Sequence, residues 1–115
     1  MLLNLSNHPS TSWPPNQQQA AREAYGRVED LPFPQIDPEL GAEGLEQLVQ
    51  QYFERVQALR PAAVHLMGEM TFTFALVAKL KAAGVLCLAS TTQRLVEERD
   101  GKKVVEFRFV QFRAY

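Results

Sequence analysis

The sequence predicts a small α/β domain with a mainly parallel sheet, helices on both faces of that sheet and an antiparallel C-terminal β-hairpin. Segments of strand length alternate with segments of helical periodicity along most of the chain, which is typical of parallel sheets crossed by helices. Two predicted strands, Ala62–Met67 and Val85–Ala89, are almost entirely apolar, as parallel strands covered on both faces are. Near the C terminus, Asp100-Gly101 separates two strand-like segments and predicts a two-residue hairpin turn.

Four strands are predicted before the hairpin, each a short apolar segment bounded by turn residues. The second strand ends near Pro32 and Pro34, because proline cannot donate a hydrogen bond to a sheet. The four predicted strands are Met1–Ser6, Val28–Phe33, Ala62–Met67 and Val85–Ala89.

Three helices are predicted between these strands. The first begins near Pro14 and Pro15, which a first helical turn tolerates, and continues through Gln17–Tyr25. The second, Glu43–Leu59, has apolar residues at helical spacing on one face and glutamine and glutamate on the other. The third is Met70–Ala83, which is followed by Gly84.

The hairpin strands carry apolar residues on both faces. Strict alternation would put Phe107 and Phe109 on one face and Val110 and Phe112 on the other. We expect both faces to be covered, and a second subunit would cover one of them. The sequence therefore predicts a homodimer.

Composition excludes several classes of protein. The chain has 115 residues, of which 46% are apolar, and a formal net charge of −1, which fits one domain spanning residues 1–115. A general binder of DNA or RNA would carry a large positive excess, so we expect no large nucleic acid as partner. The sequence contains no run of 18 apolar residues, so we expect no membrane span. The short apolar N terminus lacks the pattern of a signal peptide.

A single cysteine, Cys87, permits no intrachain disulfide and favours a cytoplasmic location. The two histidines, His8 and His65, lie far apart in sequence, so no metal site is predicted. The sequence has no G-x-G-x-x-G, P-loop or G-x-S-x-G motif, which disfavours dinucleotide oxidoreductases and nucleoside triphosphatases. We expect no cofactor.

The order of elements is most simply that of a small Rossmann-like core. In such a sheet, ligands bind beyond the carboxyl ends of the strands, where the strand order reverses. Three polar segments follow apolar strands there: Asn7–Thr11, Gly68–Thr71 and Ser90–Arg94. Their candidate binding residues are Asn7, Ser10, Thr11, Gly68, Thr71, Ser90, Thr91, Thr92 and Gln93, and their candidate catalytic residues are His8, Glu69 and Arg94.

Each segment offers a distinct chemistry. A helix that starts after Gly68 presents free N–H groups to an anion, and glycine lets the backbone approach closely. Glu69 repels an anion there, so it would bind a ribose hydroxyl or an adenine amine, or act as a base. Arg94, beside consecutive hydroxyls, suits a phosphodiester because the guanidinium donates in a planar fork.

Structural interpretations compete with these roles. Serine, threonine and asparagine often end strands because they cap turns. Glu69 would also serve as a first-turn helix residue stabilised by the helix dipole, and Arg94 as a surface ion-pair partner. His65, inside an apolar strand, is best interpreted as a core histidine with satisfied hydrogen bonds, and Cys87 as core packing.

Four segments together resemble a known family. They are Asn4-Leu5-Ser6-Asn7-His8-Pro9, His65-Leu66-Met67-Gly68-Glu69, Ser90-Thr91-Thr92-Gln93-Arg94 and Phe109-Val110-Gln111-Phe112-Arg113. With these segments the chain resembles small single-domain CRISPR-associated proteins of type III loci, which are similar to CARF domains, the CRISPR-associated Rossmann fold. The resemblance implies a cyclic-oligoadenylate ligand bound across a homodimer. It also implies that the ring is either cleaved by a ring nuclease or only sensed or sequestered.

The resemblance suggests a metal-independent mechanism in which a ribose 2′-hydroxyl attacks its neighbouring phosphate. Arg94 would stabilise the phosphate, helped by Ser90, Thr91 and the backbone at Gly68. His8 is the expected general acid or base, since an imidazole titrates near neutral pH, and Glu69 is the alternate base or a ribose ligand.

Two further readings remain open from the sequence. One is a mononucleotide or nucleoside enzyme with Glu69 as nucleophile, which would need a second carboxylate such as Asp37 or Glu39. The other is a purely structural dimer formed through the C-terminal hairpin.

Overall fold

The computed structural model describes residues 1–115 as one five-stranded sheet flanked by three α-helices. The strands are β1 (Leu2–Ser6), β2 (Val28–Asp30), β3 (Ala63–Met67), β4 (Cys87–Arg99) and β5 (Lys102–Ala114). The helices are α1 (Pro15–Tyr25), α2 (Ala42–Leu59) and α3 (Met70–Ala82), and a 3₁₀ turn at Ser10–Ser12 precedes α1.

The sheet order is β2-β1-β3-β4-β5. The first four strands are parallel, and β5 pairs antiparallel with β4. This confirms the predicted small Rossmann-like fold with its C-terminal hairpin. The strand order reverses between β1 and β3, so the binding crevice of such a sheet is expected beside the carboxyl ends of these two strands.

Each face of the sheet carries its own apolar core. The larger core, beneath α2 and α3, includes Leu3, Leu5, Val56, Val64, Leu66, Phe72, Leu76, Leu80 and Cys87. The smaller core, beneath α1, contains Leu2, Trp13, Ala21, Ala63 and Leu88. Because side chains alternate along a strand, the residues between the larger core's positions face α1. The buried position of Cys87, 2% exposed, confirms its interpretation as core packing.

Helix α3 is apolar on its outer surface as well as on its core surface. Met70 and Phe74, one turn apart, are 82% and 78% exposed. No helix of the structure combines the length and the apolar character that crossing a bilayer requires.

The segment Ser90–Arg94, predicted as a loop, lies within strand β4, so that prediction was wrong. Residues of β4 pair with β5 from Leu88, opposite Ala114, to Arg99, opposite Lys102. The distant partner strand supplies the hydrogen bonds that the polar side chains alone did not indicate. The second strand is also shorter than predicted and ends at Asp30, before Pro32.

The predicted alternation along β5 was wrong at Phe112. Thr91 pairs with Gln111 but Thr92 pairs with Phe109, so Val110 is an extra residue that forms a β-bulge. The bulge brings Phe112 to the face of Phe109, and the two ring centroids are 5.0 Å apart.

The hairpin turn matches its prediction. Asp100 and Gly101 both have positive φ, 52° and 72°, as a type I′ turn requires. Residues 91–99 of β4 continue beyond the carboxyl end of β3, which extends the hairpin by roughly 30 Å past the sheet edge. We call this extension, residues 91–111, the arm.

Candidate functional site

Two cavities lie side by side at the carboxyl edge of β1 and β3. The first cavity, of about 670 Å³, is bounded by β1, by residues 30–36 and by Glu69. The second cavity, of about 530 Å³, is bounded by residues 6–8, the start of α1, β3 and β4, with Phe107 of the arm at its margin. Ser6 and Asn7 line both cavities, so the two form one continuous polar edge at the reversal of strand order.

A row of polar side chains crosses the sheet on the α1 face and forms the floor of the second cavity. It consists of Asn4 and Ser6 from β1, His65 from β3, Ser90 from β4 and Gln17 from α1. All of these residues are buried except Ser90, which is half-buried. His65, Ser90, Gln17 and Ser6 line the second cavity itself.

The Asn4 amide determines where the protons of this row lie. Its nitrogen donates to Oδ1 of Asp30 at 2.7 Å and to the carbonyl oxygen of His8 at 2.8 Å. Both partners only accept, so the amide oxygen must face His65. Nδ1 of His65, 2.9 Å from that oxygen, therefore carries the ring proton, and Nε2 presents a lone pair.

Ser90 completes the row. Its Oγ is 2.7 Å from Nε2 of His65 and accepts a hydrogen bond from the Gln17 amide at 3.1 Å. Because Nε2 has no proton, the Ser90 hydroxyl donates to it. A hydroxyl, a neutral imidazole and an orienting amide are the three parts by which enzymes activate an oxygen nucleophile or move a proton.

His65 is held neutral. Burial, together with the smaller effect of the nearby charge of His8, lowers its pKa to about 4. The rings of Trp13 and Phe112 meet the imidazole edge-on, with centroids 5.1 and 5.6 Å away. Its burial, 3% exposed, confirms the interpretation as a satisfied core histidine, yet one edge also reaches the second cavity.

The Asp30 carboxylate contacts the row at Asn4. Burial raises the pKa of its carboxyl, but hydrogen bonds from Ser10 and Asn4 outweigh that effect and leave the pKa below its usual value. Asp30 is therefore a carboxylate at neutral pH, which is consistent with the acceptor role that the Asn4 amide requires.

The structure does not bring the three candidate catalytic residues together: His8 and Glu69 lie at the carboxyl edge but in different cavities, and Arg94 lies beyond this edge on the arm. His8 lines the second cavity and Glu69 lines the first. Arg94 lines neither cavity. It lies on the arm opposite Phe107, on the strand face shared by Ser90 and Thr92, and four residues of strand place it about 13 Å beyond Ser90.

Glu69 acts locally as the cap of α3. Its carboxylate accepts hydrogen bonds from the Thr71 hydroxyl and the Thr71 backbone N–H, and these bonds lower its pKa. The carboxylate is ionised and engaged, which weakens it as a nucleophile. Asp37 and Glu39, proposed as its second carboxylate, do not line the first cavity.

The other candidate binding residues divide into two groups. Asn7, Gly68, Ser90 and Thr92 line the second cavity. Ser10, Thr11, Thr71, Thr91 and Gln93 do not: Ser10 binds Asp30, Thr71 binds Glu69, and Thr91 binds the backbone of Gln111. Strand alternation puts Thr91 and Gln93 on the face opposite Ser90, so they do not contribute to the second cavity.

Gly68 has a packing role that the sequence did not indicate. A Cβ at this position would overlap the ring of Phe33, which packs edge-on against Phe72. Glycine therefore lets an aromatic ring, in addition to any ligand, approach the backbone between β3 and α3.

Sequence reasoning assigned no functional role to Asn4, Gln17, Asp30 or His65. The available signal was that polar residues interrupt apolar strands: Asn4 and Ser6 at alternate positions of β1, and His65 in β3. Only the register, in which Asn4 pairs with His65, shows that these positions are neighbours.

Residues 1–113 match the family described as the Uncharacterized protein MJ1673 family. The chain belongs to this family. No curated protein and no solved structure gave a match. The region shared with the MJ1673 family includes strands β1 to β4 and all of β5 except Ala114, so the arm and the polar row both lie within it.

We predict that Gly68→Ala destabilises the protein by about 1–3 kcal/mol, because the Phe33 ring must move out of a packed position. Urea unfolding measures the change. Gly41→Ala is the control, since a Cβ at Gly41 meets no atom within 4 Å. Equal stability of the two variants would contradict the packing role of Gly68.

The protein should lose stability as the pH falls from about 6.5 to 4. The pKa of His65 is lower in the folded state than in the unfolded state. Below pH 6.5 the unfolded chain therefore binds a proton at His65 that the folded chain does not bind, and this difference favours unfolding. Above pH 6.5 the imidazole is neutral in both states and no stability is lost. The loss amounts to about 3 kcal/mol across this window. Urea unfolding at intervals between pH 4 and 7 measures it, and His65→Gln should show a shallower pH dependence than the wild type. Identical slopes would show that His65 does not cause the loss.

Proposed function

We propose that this protein binds a cyclic oligoadenylate, in particular cyclic tetra-adenylate, at the carboxyl edge of its sheet and cleaves it without a metal ion. Cleavage would switch off type III CRISPR signalling, the role that the resemblance to CARF proteins implies. The observation that carries the proposal is the adjacency of two polar cavities at the reversal of strand order, with a long arm beside them.

The charge distribution supports an anionic ligand at this edge. The net charge is −1, so bulk attraction does not hold a polyanion, and local donors must do so. Arg94 is exposed and forms no ion pair, whereas three other arginines, Arg27, Arg99 and Arg108, pair with glutamates. An unpaired guanidinium on the cavity side of the arm suits a phosphate that extends beyond the second cavity.

The size of the edge suits a ring rather than a mononucleotide. The two cavities meet at Ser6 and Asn7, and Arg94 lies roughly 13 Å beyond Ser90. A ligand that touches both regions must span several nucleotides. In-line attack of a ribose 2′-hydroxyl on its phosphate then depends on the orientation that these contacts impose.

A homodimer fits this ligand. A ring of four identical nucleotides has internal symmetry, and a two-fold axis presents the same edge to it twice. Met70 and Phe74 form an exposed apolar surface on α3 directly after Gly68 and Glu69, and Phe107 and Val110 are exposed on the arm. We propose that the two copies meet through the α3 surface, which brings their carboxyl edges together.

A non-catalytic sensor or sponge is the second candidate. The observation that favours it is that His8 is exposed and its imidazole has no side-chain partner to orient it. Such a group binds phosphate without placing a proton accurately. Incubation of the pure protein with cyclic tetra-adenylate, followed by chromatography, separates the two: a linear product means cleavage, and an unchanged ring with tight binding means sequestration.

Arg94→Ala should weaken binding of cyclic tetra-adenylate by about tenfold and slow its cleavage, because one charge-assisted contact to phosphate is lost. Isothermal titration and product chromatography measure the two effects separately. Arg108→Ala is the control, since Arg108 is also on the arm but pairs with Glu106. If both variants bind equally well, Arg94 does not contact the ligand.

His8→Ala should bind the ring about as tightly as the wild type but cleave it roughly 10²-fold more slowly, as expected for loss of a general acid or base. Single-turnover assays with saturating protein measure the chemical step. Cleavage at the wild-type rate would remove His8 from the mechanism.

Light scattering should give a mass of twice 13.0 kDa for the wild type, and Phe74→Ser should shift it toward the monomer. Phe74 lies outside the two cavities and is mostly exposed, so its replacement leaves the fold of each copy intact. A wild type that stays monomeric at all concentrations, with or without ring, would exclude the two-fold arrangement.

A further inference from the structure

We propose that Ser90 and His65 form a proton relay for ring cleavage, in which Ser90 accepts the proton of the attacking 2′-hydroxyl and His65 accepts the proton of Ser90. This inference rests on the proposed function and names the base of its chemical step. It makes Ser90 a catalytic residue and His65 a positioning residue that acts through Ser90.

The hydrogen bonds leave one position free on Ser90. A serine hydroxyl donates once and accepts twice. The donated bond goes to Nε2 of His65 at 2.7 Å, and one accepted bond comes from Gln17 at 3.1 Å. The second acceptor position of Oγ has no partner within the chain, and Ser90 lines the second cavity. A hydroxyl of a bound ribose is the kind of donor that this position accepts.

The row behind Ser90 holds His65 in the form that the relay needs. The Asn4 amide is fixed by the Asp30 carboxylate and the His8 carbonyl, so Nδ1 keeps its proton and Nε2 stays free to take one. His65 is buried against Trp13 and Phe112. It cannot turn away without breaking bonds to two strands.

A phosphate bound in the second cavity would make His65 a stronger base. His65 is neutral when the cavity holds no anion, since burial and the charge of His8 both disfavour its protonated form. A phosphate in the second cavity favours the imidazolium, because opposite charges within a few ångströms stabilise each other. The base thus becomes stronger when the substrate is present.

The proton transfers balance as follows. The 2′-hydroxyl gives its proton to Oγ of Ser90 while Ser90 gives its own proton to Nε2 of His65, so Ser90 is a hydroxyl before and after. The 2′-oxygen forms a bond to phosphorus, and the bond from phosphorus to the 5′-oxygen breaks. The 5′-oxygen takes a proton from His8, which regains one from solvent, and His65 returns its proton to solvent. The products are a 2′,3′-cyclic phosphate and a 5′-hydroxyl.

The test uses the full-length protein with cyclic tetra-adenylate as ligand. Ser90→Ala should bind the ring within about threefold of the wild type but cleave it at least 10²-fold more slowly in single turnover. Ser90→Thr keeps the hydroxyl and should retain cleavage within about tenfold. Gln111→Ala is the control, because Gln111 is exposed on the other face of the same strand pair.

His65→Gln adds a readout that a merely structural role would not change. Its turnover should fall while its affinity for the ring stays close to that of the wild type. The wild-type rate should drop at acidic pH as His65 becomes protonated, and this acidic limb should be absent in His65→Gln. Circular dichroism and melting curves check that each variant folds. If His65→Gln does not fold, the Ser90 variants decide.

The outcomes separate the relay from the function on which it depends. A wild type that does not bind the ring removes the proposed function and the relay together. A wild type that binds but never cleaves leaves a sensor and overturns the relay. A wild type that cleaves, with Ser90→Ala cleaving at the same rate, overturns the relay alone.

Discussion

The amide of Asn4 is the interaction on which the site depends. One side chain, 1% exposed, contacts the Asp30 carboxylate, the His8 carbonyl, the Ser6 hydroxyl and the His65 ring. It thereby ties β1 to the end of β2, to β3 and to the loop that carries His8. Leaving one of the two buried partners, Ser6 or His65, without its hydrogen bond costs about 1–3 kcal/mol, so the amide holds both the geometry and the proton positions of the row.

The fold could be predicted from local sequence patterns. The features that depend on pairing between distant strands could not. Apolar strands and helical periodicity identified all three helices and the parallel strands, and Asp100-Gly101 identified the turn. The extent of β4 was missed because Ser90–Arg94 is strand only through its pairing with β5. The face of Phe112 was missed because a bulge at Val110 has no strong local signature.

The sequence predicted the sheet edge at which the two cavities lie, but not the row of hydrogen-bonded side chains beside them. The topology rule brought His8, Glu69 and Ser90 to the carboxyl ends of the strands. Chemistry was assigned to exposed polar residues, whereas the ordered hydrogen bonds belong to polar residues inside apolar strands. From the sequence alone, a histidine between Val64 and Leu66 indicates a residue of the apolar core. Only the strand register shows that it lies between Asn4 and Ser90. These contacts join residues far apart in the chain, so their spacing in the sequence does not indicate them.

Helix α1 contacts both the base of the arm and the floor of the second cavity. Two consecutive amides at its start reach the sheet: Asn16 donates to the carbonyl of Phe109 beside the bulge, and Gln17 donates to Ser90. The first contact holds the base of the arm and the second holds the floor of the second cavity. Because both amides belong to one rigid helix, the arm that carries Arg94 and the hydroxyl of Ser90 keep a fixed relation. The same two residues would thus position both the proposed phosphate contact on the arm and the proposed proton transfer in the cavity.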